Sequence, residues 1–135
     1  VLDLLNRVFI EDTVTLNGQE FLFRPRPPKP PIYIGGAAKN ALPRAVAFDA
    51  GWIPMGMDPD RLAPALTEYH RLCDQQRQTP RGVTVMAGLP LADAAAAGQL
   101  LEGYRQLGVE RLVVATRYDQ VDEFMASAEA LAQLL

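Results

Sequence analysis

A short apolar run, one or two glycines and then a stretch with helical spacing recur along residues 31–135. The first run is Pro31-Ile32-Tyr33-Ile34, leading into Gly35-Gly36-Ala37-Ala38-Lys39-Asn40. The second is Gly51-Trp52-Ile53-Pro54-Met55-Gly56, and the third is Gly82-Val83-Thr84-Val85-Met86-Ala87-Gly88. The fourth is Arg111-Leu112-Val113-Val114-Ala115-Thr116. Such runs read as strands buried on both faces. The helix after the first is expected to be capped by Asn40 and to run through about Ala50, with Pro43 tolerated in its first turn. The next starts at a cap on Asp58 with Pro59 at its first position, and Leu62, Leu66, Tyr69 and Leu72 share one face. An alanine-rich helix from Ala92 to Leu107 closes on Gly108, and a last one runs from Gln120 to Leu135. Strands alternating with helices imply an α/β fold with a parallel sheet and right-handed crossovers. Four βα units make either a small open sheet or half of an eight-stranded barrel, and spacing alone does not choose.

Ahead of this rhythm lies a different kind of sequence. Leu2, Leu5, Val8 and Phe9 fall on one face of a short helix, which reads as the tail of one already under way. Two β-prone runs, Thr13-Val14-Thr15-Leu16 and Gln19-Glu20-Phe21-Leu22-Phe23, flank Asn17-Gly18, a strong hairpin signal. From Arg24 to Pro31 the chain is dominated by proline, so those positions form an extended connector rather than a central strand. One domain is expected over residues 1–135, with helix, hairpin and arm in 1–30 and the βα units in 31–135.

Composition removes several classes of function. A net charge of −3 gives no electrostatic reason to expect nucleic acid or an anionic membrane as partner. Cys73 is the only cysteine and His70 the only histidine, so neither an intrachain disulfide nor a common zinc site can form. A reducing, cytoplasmic setting is the simplest expectation, and no apolar run is long enough to span a bilayer.

The glycine pair after the first strand raises a specific chemistry. Glycines let the chain turn sharply and let a ligand approach peptide N–H groups, so strand, turn and helix start could cradle a phosphate. The alternative is a tight βα turn without ligand. The stretch is neither a Walker loop nor a GxGxxG fingerprint. Lys39 is either a phosphate partner or a solvated lysine. Trp52 and Cys73 read as core, His70 as surface, and Met55 and Met86 as core filler or the wall of a pocket. No Ser-His-Asp or Cys-His set can be assembled, and no general acid or base stands out.

At Arg24-Pro25-Arg26-Pro27-Pro28-Lys29-Pro30-Pro31-Ile32-Tyr33-Ile34-Gly35-Gly36 the sequence resembles the luciferase-like monooxygenase family. The likeness extends back through Glu11-Asp12-Thr13-Val14-Thr15-Leu16-Asn17-Gly18 with Phe21 and Phe23. It extends forward through Ala41-Leu42-Pro43-Arg44-Ala45-Val46-Ala47 and Gly51-Trp52-Ile53-Pro54. Asp49-Ala50-Gly51-Trp52 departs from the family's frequent Asp-Gly-Trp and moves the acid back by one place. The resemblance implies a TIM-type (βα) barrel of which this chain is the C-terminal half. It implies flavin mononucleotide (FMN) or the deazaflavin coenzyme as cofactor, used for monooxygenation or hydride transfer. Carried over by position, Gly35, Gly36, Ala37 and Lys39 are the candidate contacts to the cofactor phosphate. Met55 is the candidate pocket wall. The general barrel rule points later, to Gly88 and Arg117.

A half-barrel leaves two sheet edges and an inner wall uncovered. The expected partners are therefore the missing N-terminal half-barrel or a second copy in a homodimer, and the chain alone is expected to be catalytically incomplete. Two other readings stay open: a non-catalytic dimeric flavin-binding relative, and an independent α/β module that binds a phosphorylated small molecule.

Overall fold

In the computed structural model, which describes residues 1–135, the chain falls into two compact units, Val1–Ile32 and Tyr33–Leu135. The first holds helix α1 (Leu2–Val8) and the antiparallel strands β1 (Thr13–Leu16) and β2 (Gln19–Leu22). Asn17 and Gly18 both take positive φ, 51° and 78°, as a two-residue hairpin loop with matching twist requires. Leu16 is thereby set opposite Gln19, and Val14 is buried. Phe9 meets Phe23 edge to face at 5.6 Å. The proline-rich arm is fastened by side chains rather than by a ladder. The Asp12 carboxylate accepts from both Arg24 and Arg26, and Lys29 Nζ donates to Asn6 Oδ1 at 2.8 Å.

The second unit alternates strand and helix: β3 (Tyr33–Gly35), α2 (Ala38–Ala47), β4 (Gly51–Ile53), α3 (Pro59–Gln75), β5 (Thr84–Ala87), α4 (Ala94–Gln106), β6 (Arg111–Val114) and α5 (Val121–Ala132). β3 pairs with β4 and β5 with β6, both in parallel. Between β4 and β5 only isolated bridges form, Trp52 opposite Val83 and Met55 opposite Met86. Proline chemistry explains the interruption. Trp52 N–H donates to the Gly82 carbonyl at 3.2 Å and Gly56 N–H to the Met86 carbonyl at 2.8 Å. The rung between them would run from residue 54 to residue 84, and Pro54 has no N–H to give. The strands thus follow one another in chain order as short parallel pairs, an α/β arrangement consistent with part of a barrel and not closed into one.

Side-chain alternation separates two faces. Ile34, Trp52, Val83 and Val85 are buried with Ala41, Leu42, Ala45, Val46, Leu62, Leu66 and Tyr69, and these form the core of the unit. The rows between them carry Gly35 opposite Ile53, Met55 opposite Met86, and Met86 opposite Val113. There Met55 is 70% exposed and Val113 37%.

The helix ends repeat one device. After α2, Asp49 N–H donates to the Val46 carbonyl at 3.2 Å and Ala50 N–H to the Ala45 carbonyl at 2.8 Å. Arg77 and Gln78 close α3 in the same way, and Gly108 and Val109 close α4. In each pair the first residue has positive φ, so Asp49 and Arg77 stand where glycine is usual.

Two expectations about α2 need correcting. Its cap is Ala37, not Asn40: Ala37 has extended φ/ψ of −62° and 139°, and the Asn40 N–H already donates to the Ala37 carbonyl at 3.0 Å. Pro43 therefore lies past the first turn, inside a helix that ends at Ala47, and leaves the Lys39 carbonyl without its usual donor. The cap on Asp58 holds, with its carboxylate accepting from Arg61 N–H at 2.9 Å and Pro59 opening α3. α4 starts two residues later than its alanine run suggests, at Ala94, because the Asp93 carboxylate accepts from Ala96 N–H at 3.0 Å.

Candidate functional site

The turn from β3 into α2 is shaped by Gly36, whose φ of 118° no L side chain adopts without strain. Space is not the constraint, since a Cβ built there would meet nothing within 4 Å. The Gly36 peptide is fixed from behind. Trp52, fully buried, donates from Nε1 to the Gly36 carbonyl at 3.1 Å. In a trans peptide the carbonyl and the following N–H point opposite ways, so this bond turns the Ala37 N–H away from the indole.

The helix behind this turn differs from its neighbours. α3 and α4 have aspartate caps, and before α5 the Glu123 carboxylate accepts from Asp119 N–H at 2.9 Å. α2 has Ala37 at its cap, no side-chain hydrogen bond there and no acid in its first turn. Its opening N–H groups, with the positive end of the helix dipole, face solvent beside exposed Gly35, Gly36, Ala37 and Lys39. Such a start favours an anion.

The remaining candidates lie at the same end of the sheet, each following a different strand. Met55 follows β4 and Gly88 follows β5, while Arg117 is exposed in the loop after β6. No ion pair or hydrogen bond engages the side chain of Lys39 or Arg117. Two hollows, about 260 and 290 Å³, lie elsewhere: one between α2 and α3, the other among α4, β6 and the last residues. His70 is exposed on α3, while Cys73 is buried and burial pushes its thiol up. No cluster of three or more potential metal ligands forms.

The opposite ends of the strands are built for packing. Tyr33 Oη donates to Glu110 Oε2 at 2.8 Å, and that bond, helped by desolvation, raises the tyrosine. The Tyr33 ring lies where a Gly51 Cβ would stand, 2.5 Å from its Cδ1. Tyr69 Oη donates to the Ala50 carbonyl and accepts from Arg81 N–H, both at 3.1 Å, and the Arg81 guanidinium grips Asp49 at 2.7 and 2.5 Å. The shifted acid thus has a partner in the loop before β5, away from the glycine turn.

The sequence shows the glycine turn but not its anchor. Trp52 is recognisable as core, yet its bond to a peptide sixteen residues earlier depends on how β3 and β4 pair. The uncapped start is legible in principle, since Ala37 offers no oxygen.

Among known families, the luciferase-like monooxygenase family matches residues 1–133. The chain belongs to that family. No curated protein matches it. This luciferase-like chain has no helix long and apolar enough to cross a membrane.

Proposed function

We propose that this chain builds the phosphate side of an FMN or deazaflavin-coenzyme site in an oxidoreductase, as four βα units forming half of a TIM-type barrel. The bound cofactor would supply the chemistry, monooxygenation or hydride transfer. The residues here hold and orient it. Ala37 N–H and the first N–H groups of α2 take the phosphate oxygens, and Gly35 and Gly36 keep the approach free of side chains. Lys39 and Arg117 add positive charge, and Met55 borders the uncovered sheet face. Groups that act on substrate belong to a counterpart half, so this chain alone binds the phosphate end and is incomplete for turnover.

The observation that supports the reading is the uncapped start of α2 behind a glycine turn that Trp52 fixes. It can be tested by giving the helix the cap it lacks. Ala37→Asp places a carboxylate on the N–H groups assigned to the phosphate, so stability and binding should move in opposite directions. The substitution should stabilise the chain by about 0.5–2 kcal/mol. It should weaken FMN binding at least about tenfold by charge repulsion and competition for donors, and leave riboflavin, which has no phosphate, unaffected. Calorimetric titration with both flavins reads the difference. Equal FMN binding by the parent and the variant would remove the cradle.

A further inference from the structure

We infer that Tyr33 and Glu110 form a clasp that sets how far the strands spread, and so act as a positioning pair for the phosphate side of the site. The inference rests on the phosphate reading above. It adds residues at the far ends of the strands, which touch no cofactor.

The clasp crosses the inner strands where they carry no side chain. Tyr33, one residue before buried Ile34, points to the other face of the sheet. Gly51 stands directly opposite it on β4. Beyond Gly51 lies Gly82, whose carbonyl accepts from Trp52 N–H at 3.2 Å. A Cβ at Gly51 would lie 2.5 Å from Tyr33 Cδ1. One at Gly82 would lie 1.5 Å from Glu110 Oε2 and 3.4 Å from Tyr33 Oη. Ring and carboxylate thus fill the space that the two glycines leave open, and they meet at 2.8 Å. Glu110 stands one residue before β6, with its N–H donating to the Val83 carbonyl at 2.9 Å. One side-chain hydrogen bond therefore joins the two outer strands over the two inner ones.

Its position decides what it restrains. β3 with β4 and β5 with β6 are continuous pairs, but between β4 and β5 the rung at Pro54 is missing. The two pairs can lean relative to one another there. On the helix side, Arg81 with Asp49 ties the starts of the inner strands. Tyr33 with Glu110 ties the starts of the outer strands on the other face. Any remaining lean is felt at the far ends, where the Gly36 turn follows β3 and the loop of Arg117 follows β6. A phosphate held by the α2 N–H groups and Arg117 together needs one spacing between them. Affinity then scales with the fraction of molecules that hold that spacing.

The test applies amide exchange and flavin titration to variants of the full chain. Tyr33→Phe keeps the ring over Gly51 and removes the hydroxyl. Gly82→Ala keeps both partners but takes the carboxylate's place. Glu110→Gln keeps an acceptor for the phenol. The first two should quicken exchange of the Trp52, Gly56 and Met86 amides, which bond across from β4 to β5. They should also weaken FMN binding at least about threefold, the scale of one lost hydrogen bond, and leave riboflavin unchanged. Glu110→Gln should keep exchange and FMN affinity at the parent values. It should also lower the midpoint of Tyr33, followed by carbon-13 titration at Cζ. The bond to the Glu110 carboxylate, then burial, holds that phenol above its ordinary value, while Thr84 and Arg111 act the other way.

Unchanged exchange in both Tyr33→Phe and Gly82→Ala would overturn the clasp. Quickened exchange with FMN affinity equal to the parent's would overturn the positioning role alone. A parent that binds FMN no better than riboflavin would instead remove the phosphate reading, and the positioning role with it.

Discussion

Arg77 and Asp49 occupy the left-handed positions that end α3 and α2, with φ of 54° and 50°, while Gly108 ends α4 at 70°. A side chain costs energy in that region and glycine does not. Arg77→Gly should therefore raise stability by about 0.5–1 kcal/mol, measured by urea denaturation, and a loss would mean that the arginine makes a compensating contact. Asp49→Gly should gain less, because it also removes the two bonds to Arg81. Gly108 is readable as a helix end from sequence, whereas these two are not, since nothing in an arginine or aspartate announces positive φ. Asp12 gives a residue-scale test of pH. Hydrogen bonding to Arg24, helped by the charges of Arg24 and Arg26, holds its carboxyl below the ordinary value of 3.8. A depressed folded pKa means the contribution is present above the unfolded value and fades as pH falls through the folded one. Carbon-13 titration of the Asp12 carboxyl should thus show a midpoint below 3.8 that rises in Arg24→Ala and returns to the ordinary range when Arg26 is replaced as well. A parent midpoint already in that range would show that the two arginines do not hold it in solution.

At the scale of elements, α4 sets helix propensity against close packing. Gly98 has nothing within 4 Å of a built Cβ, but at Gly103 that atom would lie 2.8 Å from Pro59 Cγ on α3. Gly98→Ala should stabilise by about 0.8–1 kcal/mol, the intrinsic preference. Gly103→Ala should destabilise by about 1–3 kcal/mol, because a proline ring cannot swing aside and overpacking outweighs propensity. Thermal melts of the two variants should move in opposite directions, and parallel shifts would mean that α3 and α4 do not approach so closely. Local chemistry makes the Asn17-Gly18 hairpin and the Asp58-Pro59 start legible in the residues themselves, because turn and cap residues act on their immediate neighbours. The start of α2 is easily misplaced, because Asn40 is a good cap in isolation. The turn at Gly36 starts the helix earlier, so Asn40 lies within its first turn.

For the whole molecule, the βα alternation is plain in the sequence, and so is the candidate site at the end of β3. The packing of the last helix is not. The apolar spacing after Gln120 reads like that of any helix resting on a sheet, and only the structure leaves Phe124 and Met125 exposed. Periodicity says that a face is apolar but not whether its cover lies in the same chain. Pro54 is likewise visible as a proline ending a strand. Its effect on β5 depends on knowing that residue 84 is the acceptor it fails to reach. That missing rung gives the sheet a fold line. β3 with β4 and β5 with β6 are stiff ribbons, and the seam between them keeps its other bonds, Met86 N–H to the Pro54 carbonyl at 3.0 Å among them, and lacks the one rung that Pro54 cannot donate. With one rung missing there, the two ribbons can tilt about this crease and change their curvature with fewer bonds to strain than along an unbroken ladder.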